Sequence, residues 1–139
     1  MESFKYIFKV SYSETDRMGI VHHSNYAKYC ENARWEAFRS LGLSYSEIEN
    51  SGIILPVVDM ALKYVKPAKY DDTLTIQVRF VRIFGAKLRI EYDIFNEYNE
   101  LINSAHTTLA FVDEASGKPC RAPEFISSIF KTNFLGNIK

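Results

Sequence analysis

Between Asn25 and Leu41, apolar or small side chains fall at Tyr26, Tyr29, Cys30, Ala33, Ala37, Phe38 and Leu41. Steps of three and four place all seven on one stripe of an α-helix, about 25 Å long at about 1.5 Å per residue. Ser24 or Asn25 is suited to cap its start, and Gly42 to its C′ position. Lys28, Glu31, Asn32 and Arg39 lie largely off the stripe. A single long amphipathic helix cannot bury its apolar stripe alone, so the rest of the chain must supply a surface to cover it.

The rest of the chain mostly alternates. Phe4, Tyr6, Phe8, Val10 and Tyr12 share one face of a first strand. After the helix, Ser44-Tyr45-Ser46-Glu47 has capping-box spacing and predicts one or two helical turns, stopped near Gly52. Leu55 to Lys66 reads as a strand ended by Pro67. Leu74, Ile76, Val78 and Phe80 alternate with polar residues up to a turn at Gly85-Ala86, and Leu88, Ile90, Tyr92 and Ile94 do so after it. Asn96 to Glu100 is a polar turn, and Leu101 to Val112 a further strand. Beyond Pro123, Phe125, Ile126, Ile129 and Phe130 allow a short helix. The order is one strand, a long helix, a short helix and four strands. Consecutive strands joined by tight turns pair antiparallel. The expectation is a single α+β domain over residues 1–139, its sheet wrapped around one central helix.

Composition removes several classes. Lys plus Arg and Asp plus Glu both number 17, so the formal net charge is zero. That argues against a nucleic-acid binder, which draws its affinity from neutralising phosphates. It also leaves little repulsion against self-association. The N-terminus lacks the basic and apolar pattern of a signal peptide, and no apolar run approaches the roughly 18 residues of a membrane span. Cys30 and Cys120 form neither a CxxC pair nor a zinc spacing, and read as reduced thiols of a cytoplasmic protein. There is no P-loop, GxGxxG or GxSxG.

The chemistry concentrates in Thr15-Asp16-Arg17-Met18-Gly19-Ile20-Val21-His22-His23-Ser24-Asn25-Tyr26, between the first strand and the long helix. A helix start carries unsatisfied N–H groups and roughly half a positive charge. A carboxylate just ahead of it, Asp16, can attack a carbonyl whose oxygen is held by those amides. The bland alternative is an Asx-turn aspartate. His22 and His23 beside Glu14 and Asp16 raise the question of a metal. Adjacent residues of an extended chain point opposite ways, and no HxH or HxxxH spacing exists, so no metal site is expected. Glu31 and Arg34, three apart, can pair locally and read as structural or dimer-interface residues. His106 sits in a strand beside Thr107 and Thr108 and reads as structural.

The element order and three motifs resemble the hotdog fold, specifically the 4-hydroxybenzoyl-CoA thioesterase-like family of acyl-CoA thioesterases. The motifs are the Asp16 loop with Asn25-Tyr26 and Glu31-Asn32-Ala33-Arg34; Tyr64-Val65-Lys66-Pro67-Ala68-Lys69-Tyr70-Asp71-Asp72; and Gly117-Lys118-Pro119-Cys120-Arg121-Ala122-Pro123. The likeness spans Tyr6 to Pro123. At position 22 many relatives carry an aromatic residue where this chain has His22, and at position 14 several carry Asp or Thr where it has Glu14.

The resemblance implies hydrolysis of an acyl-CoA to a free acid and CoA, with Asp16 as nucleophile or as general base toward water. It implies that the His23 backbone N–H points at the thioester oxygen and that Gly19 lets the loop approach the acyl group. Tyr26 and His22 would line the acyl pocket, and Arg82, Lys87 and Arg89 around the Gly85 turn would meet the CoA phosphates. Lys118 and Arg121 are further candidates. No cofactor is implied, since coenzyme A enters as part of the substrate. A homodimer joined edge to edge is expected, with a homotetramer built from such dimers left open. Two competing readings are a thioesterase acting on acyl carrier protein, which would want a contiguous basic patch, and a non-catalytic acyl-CoA-binding module. A hotdog dehydratase would need a histidine on the central helix, and Asn25 to Arg39 has none.

Overall fold

In a computed structural model, residues 3–133 are described, without the side chains of residues 132 and 133. The helical stripe forms as the sequence dictates. Helix α1 covers Asn25–Ser40 and buries Tyr26, Tyr29, Cys30, Ala33, Ala37 and Phe38, together with Arg34. Cys30, Ala33 and Ala37 are fully buried, and their small side chains let the helix lie close to the sheet. Gly42 ends the helix at φ +81°, a conformation that glycine adopts without the Cβ clash.

The covering surface is a five-stranded antiparallel sheet in the order β1-β4-β5-β6-β3, formed by β1 (Phe4–Lys9), β3 (Val57–Tyr64), β4 (Thr73–Phe84), β5 (Lys87–Phe95) and β6 (Leu101–Ala110). Leu74, Ile76, Val78, Leu88, Ile90, Tyr92 and Ile94 are buried and join the α1 stripe in one core. Helix α2 (Tyr45–Asn50) is capped as expected, with Ser44 accepting from the Glu47 N–H. Helix α3 (Glu124–Asn133) seats Ile126 and Phe130 in the core, the latter 5.0 Å from the Phe80 ring.

Three boundaries depart from expectation. β1 stops at Lys9, and Tyr12 begins a turn of 3-10 helix through Glu14, which leaves its ring exposed. The strand expected from Leu55 to Lys66 runs only over Val57–Tyr64, beginning past Pro56, which has no N–H to donate to a ladder. Ile53–Ile54 before it is the short strand β2, paired with β7 (Val112–Asp113), the detached end of the strand expected to run unbroken from Leu101.

Registers fix which residues share an end of the sheet. Tyr6, Ile76, Ile94, Asn103 and Tyr64 form one cross-strand row. Ile83, Leu88, Leu109 and Val57 form another. The rows are six β5 residues apart, about 20 Å. Among the described residues, no helix is long and apolar enough to cross a membrane.

Candidate active site

Glu14 anchors the loop ahead of α1. Its backbone oxygen accepts from the His22 N–H at 2.9 Å and the Asn25 Nδ2 at 2.9 Å. Its carboxylate accepts from the Ser11 N–H and the Tyr29 hydroxyl, each at 2.9 Å, with Lys28 Nζ at 3.7 Å. Burial, then this bond to Glu14, raises the Tyr29 phenol above its ordinary range. On the other side, the Val21 N–H donates to Ala68 O at 2.8 Å and the Tyr70 N–H to Gly19 O at 3.2 Å. The first and second sequence motifs are therefore one structure.

Within that frame, Asp16 to Ile20 closes on itself. The Asp16 N–H donates to Ile20 O at 2.8 Å and the Gly19 N–H to Asp16 O at 3.0 Å. Gly19 stands at φ +76°, where a Cβ would strain the turn. Asp16 does make the Asx turn: Oδ1 accepts from the Met18 N–H at 2.8 Å. Oδ2 has no hydrogen-bond partner among the described residues. The side chain is exposed, on the wall of a cleft of about 470 Å³ that Ile20, His22, His23, Tyr26, Tyr64 and Pro67 also line.

Neither expected cap is made at the start of α1. Ser24 occupies the N-cap position, but its hydroxyl bonds His22 Nδ1 at 2.8 Å, and the Asn25 side chain is taken by Glu14 O. The Ser24 N–H also donates to His22 Nδ1, at 3.2 Å, which assigns Nδ1 as an acceptor and the ring proton to Nε2. The two histidines do not point apart, as an extended chain would require. They lie in the turn entering α1 with ring centroids 4.3 Å apart. Among the described residues, the His23 N–H donates to no protein acceptor. It is a free amide at a helix start on the same cleft as Asp16.

Tyr26 is at once core and cleft wall. It is buried, its hydroxyl accepts from the Ala68 N–H at 3.4 Å, and its ring lies 5.5 Å from Tyr64. Burial raises its phenol above the ordinary value. Tyr64 also bonds His23 O at 3.4 Å, and Val65 and Lys66 complete the rim. These residues, at the end of β3 and just beyond it, were not singled out as site residues, although the second motif contains them. All three are exposed and carry no core signal.

Other expected contacts are not brought together. Arg82, Lys87 and Arg89 sit around the far hairpin of β4 and β5, at the opposite end of the sheet from the row that holds Tyr64. Arg82 stacks 4.5 Å above the Phe84 ring, and Arg89 pairs with Glu91 at 3.4 Å. Lys118 and Arg121 flank the last turn. Arg34 does not pair with Glu31. The helix turns Arg34 inward, where Nη1 meets the Tyr92 hydroxyl at 3.3 Å, while Glu31 stays exposed. His106 lies in β6 between Glu91 and Ala61. Among the described residues, no three His, Cys, Asp or Glu side chains are grouped to hold a metal ion.

A long helix covered by a five-stranded antiparallel sheet is the architecture of a hotdog-fold thioesterase. The comparisons agree. The model of the family described as "Thioesterase-like superfamily" matches residues 10–130, and the chain belongs to that family. It is 38% identical over 111 residues to the putative acyl-CoA thioesterase YneP of Bacillus subtilis, covering 80% of each chain. It is 32% identical over 128 residues to the acyl-CoA thioester hydrolase YbgC of Escherichia coli, covering 92% of this chain and 96% of that one. The crystal structure of a DHNA-CoA thioesterase from Staphylococcus aureus superposes with a TM-score of 0.88 at 32% identity, over 99% of this chain and 95% of that one.

Proposed function

We propose that this protein is an acyl-CoA thioesterase: acyl-CoA and water give a carboxylic acid and CoA. The observation that carries the reading is the shared cleft of Asp16 and the free His23 N–H. With Oδ1 occupied by Met18, Oδ2 is the oxygen available to the thioester carbon or to a water attacking it. The carbonyl oxygen gains charge as it is attacked, and the His23 N–H at the positive end of α1 stabilises it. The C–S bond then breaks and CoA leaves as a thiolate. If Asp16 attacked directly, water cleaves the resulting anhydride; if it took a proton from water, the acid is already formed. Gly19 allows the turn that presents Asp16. Tyr26 and His22 line the acyl path.

The working unit is a homodimer joined through β3, which is an edge strand with Val57, Val58 and Tyr64 exposed and Val65 just beyond it. Open apolar edges are otherwise an aggregation hazard. Antiparallel pairing of two β3 strands brings the Asp16 end of each copy beside the Gly85 end of the other. Arg82, Lys87 and Arg89 of a second copy can then meet the CoA phosphates that their own chain's site cannot reach. A tetramer would pair two such dimers, and the two free thiols fit a cytoplasmic setting.

The test is thiol release from acyl-CoAs running from acetyl to palmitoyl plus benzoyl, with sedimentation analysis of the same preparation. Saturable turnover of at least one thioester by a dimer is expected. Tight binding without turnover across the series would favour a binding module, and turnover by a monomer would remove the dimeric site.

A further inference from the structure

A second cavity, of about 380 Å³, lies between α1, α2 and the β2–β3 segment, apart from the Asp16 cleft. Its walls are apolar and aromatic: Ile48, Ile53, Leu55 and Trp35, with Tyr45 set edge-on to the indole at 4.7 Å. Arg34 also lines it and is only 5% exposed. A guanidinium so buried should have a carboxylate partner. Arg34 has none among the described residues. Its one hydrogen bond goes to the neutral Tyr92 hydroxyl, itself bonded to Thr107 at 2.7 Å, and its Nε is buried without an acceptor. Glu31 and Glu49 stand at the mouth, but both are exposed to water, which screens them far more than it screens a desolvated cation.

Leu55, Pro56 and Val57 line this cavity, and Tyr64, Val65 and Lys66 line the Asp16 cleft. Those are the two ends of β3 and its flanks. When two copies pair antiparallel along their β3 edges, the cavity of one copy comes to the mouth of the other copy's Asp16 cleft. We propose that the cavity receives the far end of the acyl group and that Arg34 makes the enzyme select acyl chains ending in a carboxylate. This rests on the thioesterase reading and on the β3-paired dimer. The apolar walls take the methylenes, and the terminal carboxylate gives Arg34 the counter-charge that the fold withholds. Arg34 is thereby the specificity residue for the acyl end.

The experiment compares kcat/KM for adipoyl-CoA and hexanoyl-CoA, which match in chain length and differ in the terminal carboxylate. The wild type should favour adipoyl-CoA at least about tenfold. Arg34→Met should bring the ratio to about one by raising KM for adipoyl-CoA, and Arg34→Lys should restore part of the preference. Free adipate should inhibit the wild type more strongly than free hexanoate, a readout that stands even if the Met variant does not fold. A wild-type ratio of one or below, or a ratio unchanged in Arg34→Met, overturns the inference and leaves the thioesterase reading intact. If neither of these two thioesters nor any other acyl-CoA of the wider series is hydrolysed, the thioesterase reading fails and takes this inference with it.

Discussion

Replacing Glu14 with alanine should destabilise the fold by an amount the geometry sets. Three contacts are lost, and they are unequal. Ser11 is exposed, so its N–H turns to water at little cost. The Lys28 pair is largely solvated on the lysine side, at 60% exposure, and contributes about 0–1 kcal/mol. The Tyr29 hydroxyl decides the outcome. Its residue is 2% exposed, and a hydroxyl stranded there costs about 1–3 kcal/mol. The sum is about 1–4 kcal/mol, or a fall in melting temperature of roughly 3–16 °C for a domain of this size. Calorimetry on the wild type, Glu14→Ala, Tyr29→Phe and the double variant separates the contributions. Tyr29→Phe removes the hydroxyl itself, so the Glu14→Ala penalty should shrink by at least about 1 kcal/mol in that background. Full additivity would refute the claim that the Glu14–Tyr29 bond ties the loop to α1.

Gly42→Ala should lower stability by about 1–2 kcal/mol, because the helix end needs φ +81°; a melting temperature at or above wild type would contradict this. Burial pushes the Cys30 thiol up to about 12 from an ordinary 9.0. The folded state then holds that proton where the unfolded chain releases it, so stability is intact below pH 9 and falls by up to about 1.4 kcal/mol per pH unit from there toward 12. Denaturant midpoints across that range should show the decline, and Cys30→Ala should flatten its onset. Val58→Lys places a charge on the exposed β3 edge, and should shift sedimentation toward monomer and reduce turnover in parallel; a fully active monomer would separate the two.

The α1 stripe was legible because its seven positions obey one period and face one sheet. All are buried except Leu41, which is half-buried. Gly42, Ser44 and Asn96 to Glu100 were legible because caps and turns are local chemistry. What could not be read were choices between competing partners. Asn25 has the right side chain for a cap, yet Glu14 O takes it, and Ser24 turns to His22. Arg34 looked like a surface partner for Glu31, but faces Tyr92 across the core. For the candidate site, the loop that carries Asp16, Gly19 and His23 was readable as one contiguous stretch. Tyr64 and Lys66 were not, since long-range hydrogen bonds such as Val21–Ala68, Gly19–Tyr70 and Tyr64–His23 bring that edge beside it. The basic residues at the Gly85 turn could be found as a cluster, but their separation from Asp16 depends on strand register, which composition does not encode.

Asp16→Asn is the most direct measurement of the central claim. Asparagine keeps the Oδ1 acceptor for the Met18 N–H, so the loop and the melting temperature should persist while the reactive carboxylate is gone. With whichever acyl-CoA the wild type turns over best, kcat should fall about 10²–10⁴-fold. A variant within about threefold of wild type would contradict the assignment of Asp16 as the group that attacks the thioester or activates water.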